Sequence, residues 1–221
     1  MTAETVILLH GLVPSPGALK PLQRRLDEIG YQTLNLQYPS GHWSISDCAQ
    51  AVAEDTAALA NESEGPVHYV GYSMGGLVAR LAIALARPKN MGRMVMIASP
   101  NGGSEVAEVM AKTPLMRLAY GPASVELTRK GASEISRRIG APDYDVGVIA
   151  GNRTLQVFAS LLMPWPNDGR VSVEATKLEG MADHAVVKSS HPMIARNPET
   201  IALTCRFLAT GRFRPVAGGA R

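Results

Sequence analysis

Two cysteines in 221 residues leave little scope for covalent cross-linking. Cys48 and Cys205 stand far apart, without C-x-x-C spacing and without neighbouring histidines, so free thiols are expected rather than a disulfide framework or a zinc site. Aromatic residues are scarce as well, at 5% with three phenylalanines, so a core has to be built mainly from aliphatic side chains and methionine. No stretch approaches the ~18 uninterrupted apolar residues that a bilayer-spanning helix requires, so stable membrane insertion is not expected. The start, Met1-Thr2-Ala3-Glu4, has no basic segment, and the apolar run that begins at Val6 stops at His10. A signal peptide is therefore not expected, and a cytoplasmic location follows by default. Charge is also modest, 19% of residues with a formal net charge of +3. The basic residues are dispersed apart from Arg137-Arg138 and the tail Arg212, Arg214 and Arg221, which reads as a solvated surface and not as a nucleic-acid-binding face. Internal repeats, a phosphate-binding glycine loop and a clustered set of metal ligands are all missing.

What is present is a 46% hydrophobic composition in a chain short enough for one core, which can grow to roughly 250 residues before chains split into domains. Short apolar runs alternate with longer segments of helical period, the pattern of βα units that build a parallel sheet. Strands are expected at Thr5–Leu9, Tyr31–Gln37, Pro66–Gly71, Arg93–Ala98, Val146–Ala150 and Asp183–Lys188. Helices are expected at Ala18–Ile29, from about Ser46 to Asn61, at Met74–Ala86 and from about Pro198 to Leu208, with a short one at Val171–Thr176. Ser46 with Asp47 is a suitable helix start. The segment from Ser104 to about Tyr144 is amphipathic and too long for an ordinary strand connection, so a small helical cap at about 102–145 is expected within a single domain over 1–221. The fold class is then α/β, about six mostly parallel strands with helices on both faces.

Gly71-Tyr72-Ser73-Met74-Gly75 lies between the third strand and a helix. The G-x-S-x-G pattern alone is weak, but a strand before it and a helix after it are what expose a serine hydroxyl on a strained turn. Gly71 and Gly75 leave room where a Cβ would collide, and the helix starting at Met74 directs free N–H groups toward the reacting centre. A second strand end, His10-Gly11-Leu12, arrives at the same edge of the sheet, so the backbone N–H groups of Leu12 and Met74 are the expected oxyanion donors. His10 itself reads as a loop-orienting hydrogen-bonding residue.

With Val6-Ile7-Leu8-Leu9-His10-Gly11, Val70-Gly71-Tyr72-Ser73-Met74-Gly75-Gly76, Asn167-Asp168-Gly169 and Ser190-His191, the chain resembles the α/β-hydrolase superfamily, in particular its small bacterial lipase-like and esterase-like members. The resemblance runs from Thr5 to about Phe213 and implies a Ser–Asp–His triad in that chain order with a backbone oxyanion hole. The chain enters directly at the His-Gly strand, without the antiparallel strands that open larger members, and Tyr72 stands where lipases of this group often carry His.

Catalytic groups in an open parallel sheet gather at the C-terminal strand ends, and this sorts the acids and bases. His68 lies inside a strand, His184 at the start of one, and His42 precedes the serine in the chain; His191 follows the sixth strand and is the preferred general base, with His184 as the alternative. Asp143, Asp145 and Asp183 precede strands and start at the wrong edge. Asp168, in a Pro-Asn-Asp-Gly turn after the fifth strand, is the preferred acid, with Glu174 behind it. Ser73 would then attack an acyl carbonyl, His191 would take its proton and Asp168 would hold the imidazole, with no cofactor and no metal required. Trp43, Tyr72, Leu115, Met116 and Trp165 are candidates for a pocket that takes a small-molecule or lipid ester. Acyl transfer or thioester cleavage by the same residues, and non-catalytic ligand binding on the same fold, are the alternatives.

Overall fold

The structure, a computed structural model, describes residues 3–12, 16–112, 121–154 and 163–214. Six strands form one sheet: β1 (Thr5–Leu9), β2 (Gln32–Leu36), β3 (Val67–Tyr72), β4 (Met91–Ile97), β5 (Val146–Gly151) and β6 (Asp183–Val187). Their order is β2-β1-β3-β4-β5-β6, and every pairing is parallel. The helices are α1 (Lys20–Glu28), α2 (Ile45–Glu62), α3 (Met74–Leu85), α4 (Glu105–Lys112), α5 (Ala123–Glu126), α6 (Arg129–Ile139), α7 (Val173–Thr176), α8 (His191–Ile194) and α9 (Pro198–Thr210).

The central strands read as continuous apolar runs because both faces of the sheet are covered. Along β1, Ile7 and Leu9 join a core with Ile45, Val52, Leu77 and Leu81 of α2 and α3. The alternate residues, Val6 and Leu8, join a second core with Leu22 and Leu26 of α1 and with Phe207 and Leu208 of α9. Each core is mainly aliphatic, as the shortage of aromatics requires. Cys48 is buried in the first core as a free thiol, and burial, with Asp47 and Glu126 adding to it, pushes its pKa up to about 12. It is a packing residue and not a nucleophile.

The strand order reverses direction between β1 and β3, and the loops that follow these two neighbours diverge to opposite sides. Such a reversal opens a crevice at the C-terminal edge, the usual place for a ligand in an open α/β sheet. Gly11-Leu12 and Ser73 sit on the two sides of it.

Two local features depart from the expected ones. The second helix begins one residue earlier, at Ile45, and Ser44 caps it reciprocally: its Oγ accepts the Asp47 N–H at 3.0 Å and donates to the Asp47 carboxylate at 2.7 Å. The Ile45 N–H at the same end donates to Glu126, which ties α5 to the start of α2. In addition, the residues directly after Ser190 form a single helical turn, α8, which the sequence does not indicate. Among the described residues, no helix is long and apolar enough to cross a membrane.

His68 gives the interior a pH dependence. Its Nδ1 accepts the Arg93 N–H and its Nε2 faces Glu4, both at 2.9 Å. Burial nevertheless holds this imidazole below its ordinary range, the hydrogen bond and charge of Glu4 and the Arg93 backbone hydrogen bond opposing that shift and the Arg93 charge reinforcing it. The folded chain therefore keeps His68 neutral where the unfolded chain, with an imidazole pKa of about 6.5, takes up a proton. Stability is fully present above that value and is lost as pH falls from it toward the folded-state value. Thermal unfolding should show a lower Tm at about pH 5 than at about pH 7.5. The gap should narrow in His68→Asn, which keeps an acceptor for the Arg93 N–H but cannot be protonated.

Candidate active site

Ser73 adopts φ 55° and ψ −123°, and with Ala98 it is one of two non-glycine residues at positive φ among the described residues. Such a conformation costs on the order of 1–3 kcal/mol and persists only where the surroundings enforce it. Here the Ser73 N–H donates to Ile97 O at 2.8 Å, and the Ser73 carbonyl accepts from the Gly76 N–H at 3.1 Å. The tight passage from β3 into α3 depends on glycine. A Cβ on Gly71 would strike the backbone of Gly76, and one on Gly75 would strike the carbonyls of Leu9 and His10. Gly75→Ala should cost about 3 kcal/mol, since backbone on both sides must yield. At roughly 2–4 °C per kcal/mol for a chain of this size, that is a Tm loss of about 10 °C by calorimetry.

His191 opens α8 at the end of the loop after β6. Its backbone N–H donates to Asp168 O at 2.9 Å, so the two residues are fastened through main chain as well as side chain. The His191 Nδ1 lies 2.7 Å from Asp168 Oδ2, and its Nε2 lies 3.0 Å from Ser73 Oγ. Asp168 is buried, and its other oxygen, Oδ1, accepts the backbone N–H groups of Arg170 at 2.9 Å and Val171 at 2.8 Å. A carboxylate so placed can only accept from His191, so the imidazole proton resides on Nδ1. The Nε2 lone pair then faces the Ser73 hydroxyl, the arrangement a general base needs. Tyr72 Oη donates to His191 O at 2.7 Å, with ring centroids 5.4 Å apart. Burial raises the phenol pKa, so Tyr72 stays a proton donor.

The loop after β1 is held just as firmly. His10 is buried and stacks on Tyr38, with centroids 4.3 Å apart and planes 7° from parallel. Its Nδ1 donates to Gly11 O at 2.8 Å, Tyr38 Oη donates to His10 O, and Ser40 Oγ donates to Leu12 O at 2.8 Å. Gly11 abuts Ser73 closely enough that an added Cβ would lie 3.2 Å from the serine Cβ. Burial lowers the pKa of His10, so the imidazole remains a neutral prop for this loop. Across the crevice, the first N–H groups of α3 have no acceptor inside the helix, and the Ser73 side chain caps none of them.

A cavity of about 40 Å³ lies beside Ser73 and His191, lined by Leu12, Pro100, Ser104, Val106, Ala107, Ser124, Leu127, Arg170 and Val171. The structure thus brings together Ser73, Asp168 and His191 and places Leu12 and Met74 on the two sides of the serine. Trp43 and Trp165 do not line this cavity and are 42% and 73% exposed, while Tyr72 lies against His191 instead. Leu115 and Met116 fall outside the described residues. The alternative base and acid, and the aspartate set aside, are occupied elsewhere: His184 Nε2 is 3.2 Å from Thr176 Oγ1, Glu174 pairs with Lys177, and Asp143 with Arg87. Tyr38, Ser40 and Arg170 escaped the reading from sequence. Tyr38 and Ser40 could have been found, because β1 and β2 are parallel neighbours whose following loops must meet at one edge.

A parallel α/β sheet that carries a hydrogen-bonded serine, histidine and aspartate at its C-terminal edge defines the class: a hydrolase of the α/β type. The chain belongs to the alpha/beta hydrolase family, whose pattern it matches over residues 6–206. Among solved structures it is similar to the mature lipase BlEst2 of Bacillus licheniformis, with a TM-score of 0.77 and 18% identity over 95% of this chain and 92% of that one. It is also similar to an esterase of Exiguobacterium antarcticum, with a TM-score of 0.59 and 14% identity over 95% and 94% of the two chains. At such identities the likeness is one of fold. By sequence it is 31% identical to a 2-hydroxy-6-oxononadienedioate/2-hydroxy-6-oxononatrienedioate hydrolase of Pseudomonas putida, over 46% of this chain and 38% of that protein. The match thus spans about two fifths of that relative's length.

Proposed function

We propose that the protein is a serine hydrolase of small carboxylic esters. Ser73 attacks the acyl carbonyl, His191 takes its proton through Nε2, and Asp168 holds the Nδ1–H tautomer. The N–H groups of Leu12 and Met74 receive the developing oxyanion. Expulsion of the alcohol, protonated by His191, leaves an acyl-Ser73 ester, which a water deprotonated by His191 then hydrolyses. The observation that carries the proposal is the unbroken line from Asp168 through His191 to Ser73, at 2.7 and 3.0 Å, ending on a serine in a strained conformation.

A fluorophosphonate probe followed by intact-mass measurement tests it. The expected result is one phosphonyl adduct, on Ser73, that is missing in Ser73→Ala; an unlabelled wild-type protein would overturn the reading. The space directly beside Ser73, about 40 Å³ in a crevice that opens to solvent, suits a small acyl group best. In a p-nitrophenyl ester series, kcat/KM should peak at acetate or propionate and fall at least about tenfold by octanoate. The name of the Pseudomonas putida relative favours a second reading, hydrolysis of an oxo-dicarboxylate at the same serine. Turnover of such a compound in preference to every ester in the series would select it.

A further inference from the structure

Arg170 is the one charged side chain, apart from the His191 imidazole when protonated, that lines the cavity beside Ser73 among the described residues. The remaining lining is aliphatic, proline or serine. Both serines are already engaged, Ser104 Oγ donating to Arg170 O and Ser124 Oγ to Gly121 O, at 2.8 and 2.7 Å. Of the nearby carboxylates, Asp168 is held by His191 and two backbone N–H groups, and Glu105 faces Arg129 and Ser172 through Oε1 while its Oε2 is buried without a hydrogen bond. Among the described residues, the Arg170 guanidinium has no ion-pair partner. Its backbone, in contrast, is fixed at both ends, the N–H donating to Asp168 Oδ1 at 2.9 Å and the carbonyl accepting from Ser104.

A half-buried arginine on a rigid base, beside a nucleophile and among mostly apolar lining residues, has the chemistry to receive a carboxylate. Its planar fork suits two parallel hydrogen bonds to one carboxylate, and the low local dielectric strengthens the attraction. We infer that Arg170 selects esters that carry a carboxylate, placing this anion while Ser73 attacks. The inference rests on the reading of Ser73 as nucleophile and narrows its substrate class from small esters to anionic ones. Arg170 belongs to the turn that supplies Asp168, so recognition of the anion and orientation of His191 share one short segment.

The test compares matched pairs of esters on the full chain. Mono-p-nitrophenyl succinate against p-nitrophenyl butyrate places the carboxylate on the acyl side, and 4-carboxyphenyl acetate against phenyl acetate places it on the alcohol side. In one of the two pairs the charged member should be preferred by about 30-fold in kcat/KM. That ratio should fall to near one in Arg170→Gln and be partly restored in Arg170→Lys, and the responding pair identifies the side on which the anion sits. A charged-to-neutral ratio near one in both pairs of the wild type, or a ratio that survives in Arg170→Gln, would overturn the inference. Calorimetric titration of Ser73→Ala with monomethyl succinate and, separately, with 4-carboxyphenyl acetate, which cover the two sides, decides the same question without turnover. Saturable binding of either one, lost on adding Arg170→Gln, supports it, whereas binding of neither, or binding that Arg170→Gln leaves intact, overturns it. If no ester is turned over, the ester reading falls while the titration still judges Arg170.

Discussion

Ser73→Ala is expected to lower kcat/KM for p-nitrophenyl acetate by about 10⁵-fold, the order seen when a triad nucleophile is removed and only oxyanion donors and binding remain. Ser73→Gly should lose activity equally, yet the two variants should differ in stability. Alanine keeps a Cβ in the φ 55°, ψ −123° conformation and therefore keeps the strain of the native serine. Glycine adopts this conformation freely, which recovers part of the 1–3 kcal/mol of strain, while its greater unfolded-state entropy costs about 0.4–1 kcal/mol. The balance favours Ser73→Gly over Ser73→Ala by about 1 kcal/mol, a Tm difference of roughly 2–4 °C. Initial-rate assays and calorimetry on the same preparations read both effects. Equal stability of the two would mean that glycine relieves no more strain than its entropy cost of about 0.4–1 kcal/mol, and retained activity in either would remove Ser73 as nucleophile.

The turn was legible in the sequence because everything it needs is local. A doubly buried strand reads as a nearly continuous apolar run, so β3 stands out despite His68, and a Cβ collision is avoided only by glycine at Gly71 and Gly75. Topology and chain order made Asp168 and His191 the preferred acid and base: both follow strands and both come after Ser73, and the structure hydrogen-bonds them. The cavity was not legible. Its walls come from pieces distant in sequence, Leu12 after β1, Val106 and Ala107 in α4, Leu127 after α5 and Arg170 beside Asp168, and no periodicity joins them. Tryptophan was a poor guide here, because a large ring at a loop edge reads as a binding wall whether it turns inward or, as with Trp165, outward. At the start of α2, placed within one residue, only the capping serine differs from the one expected. Both Ser44 and Ser46 precede Asp47 closely enough to begin a helix, and only the spacing of three makes Ser44 the reciprocal partner.

Asp168→Asn is expected to lower kcat on the same ester by about 10⁴-fold while leaving the fold almost untouched. The argument follows from how the two carboxylate oxygens are used. Oδ1 accepts from the N–H groups of Arg170 and Val171, so an asparagine placed here must turn its carbonyl oxygen to that side or leave two buried donors unpaired. Its amide nitrogen then occupies the position of Oδ2, 2.7 Å from His191 Nδ1, where it can only donate. The imidazole answers by presenting a lone pair at Nδ1 and carrying its proton on Nε2. That proton points at Ser73 Oγ, so the nitrogen that should accept the hydroxyl proton is already filled. Every hydrogen bond survives and the geometry is preserved, but the tautomer is wrong. Asp168→Ala, in contrast, strands the Arg170 and Val171 N–H groups and should lose about 1–3 kcal/mol for each donor left buried as well as activity. The two variants separate positioning from folding: near-native Tm with a collapsed kcat in Asp168→Asn, and losses of both in Asp168→Ala. Near-native kcat in Asp168→Asn would show that the Asp168–His191 contact does not set the tautomer used in the reaction.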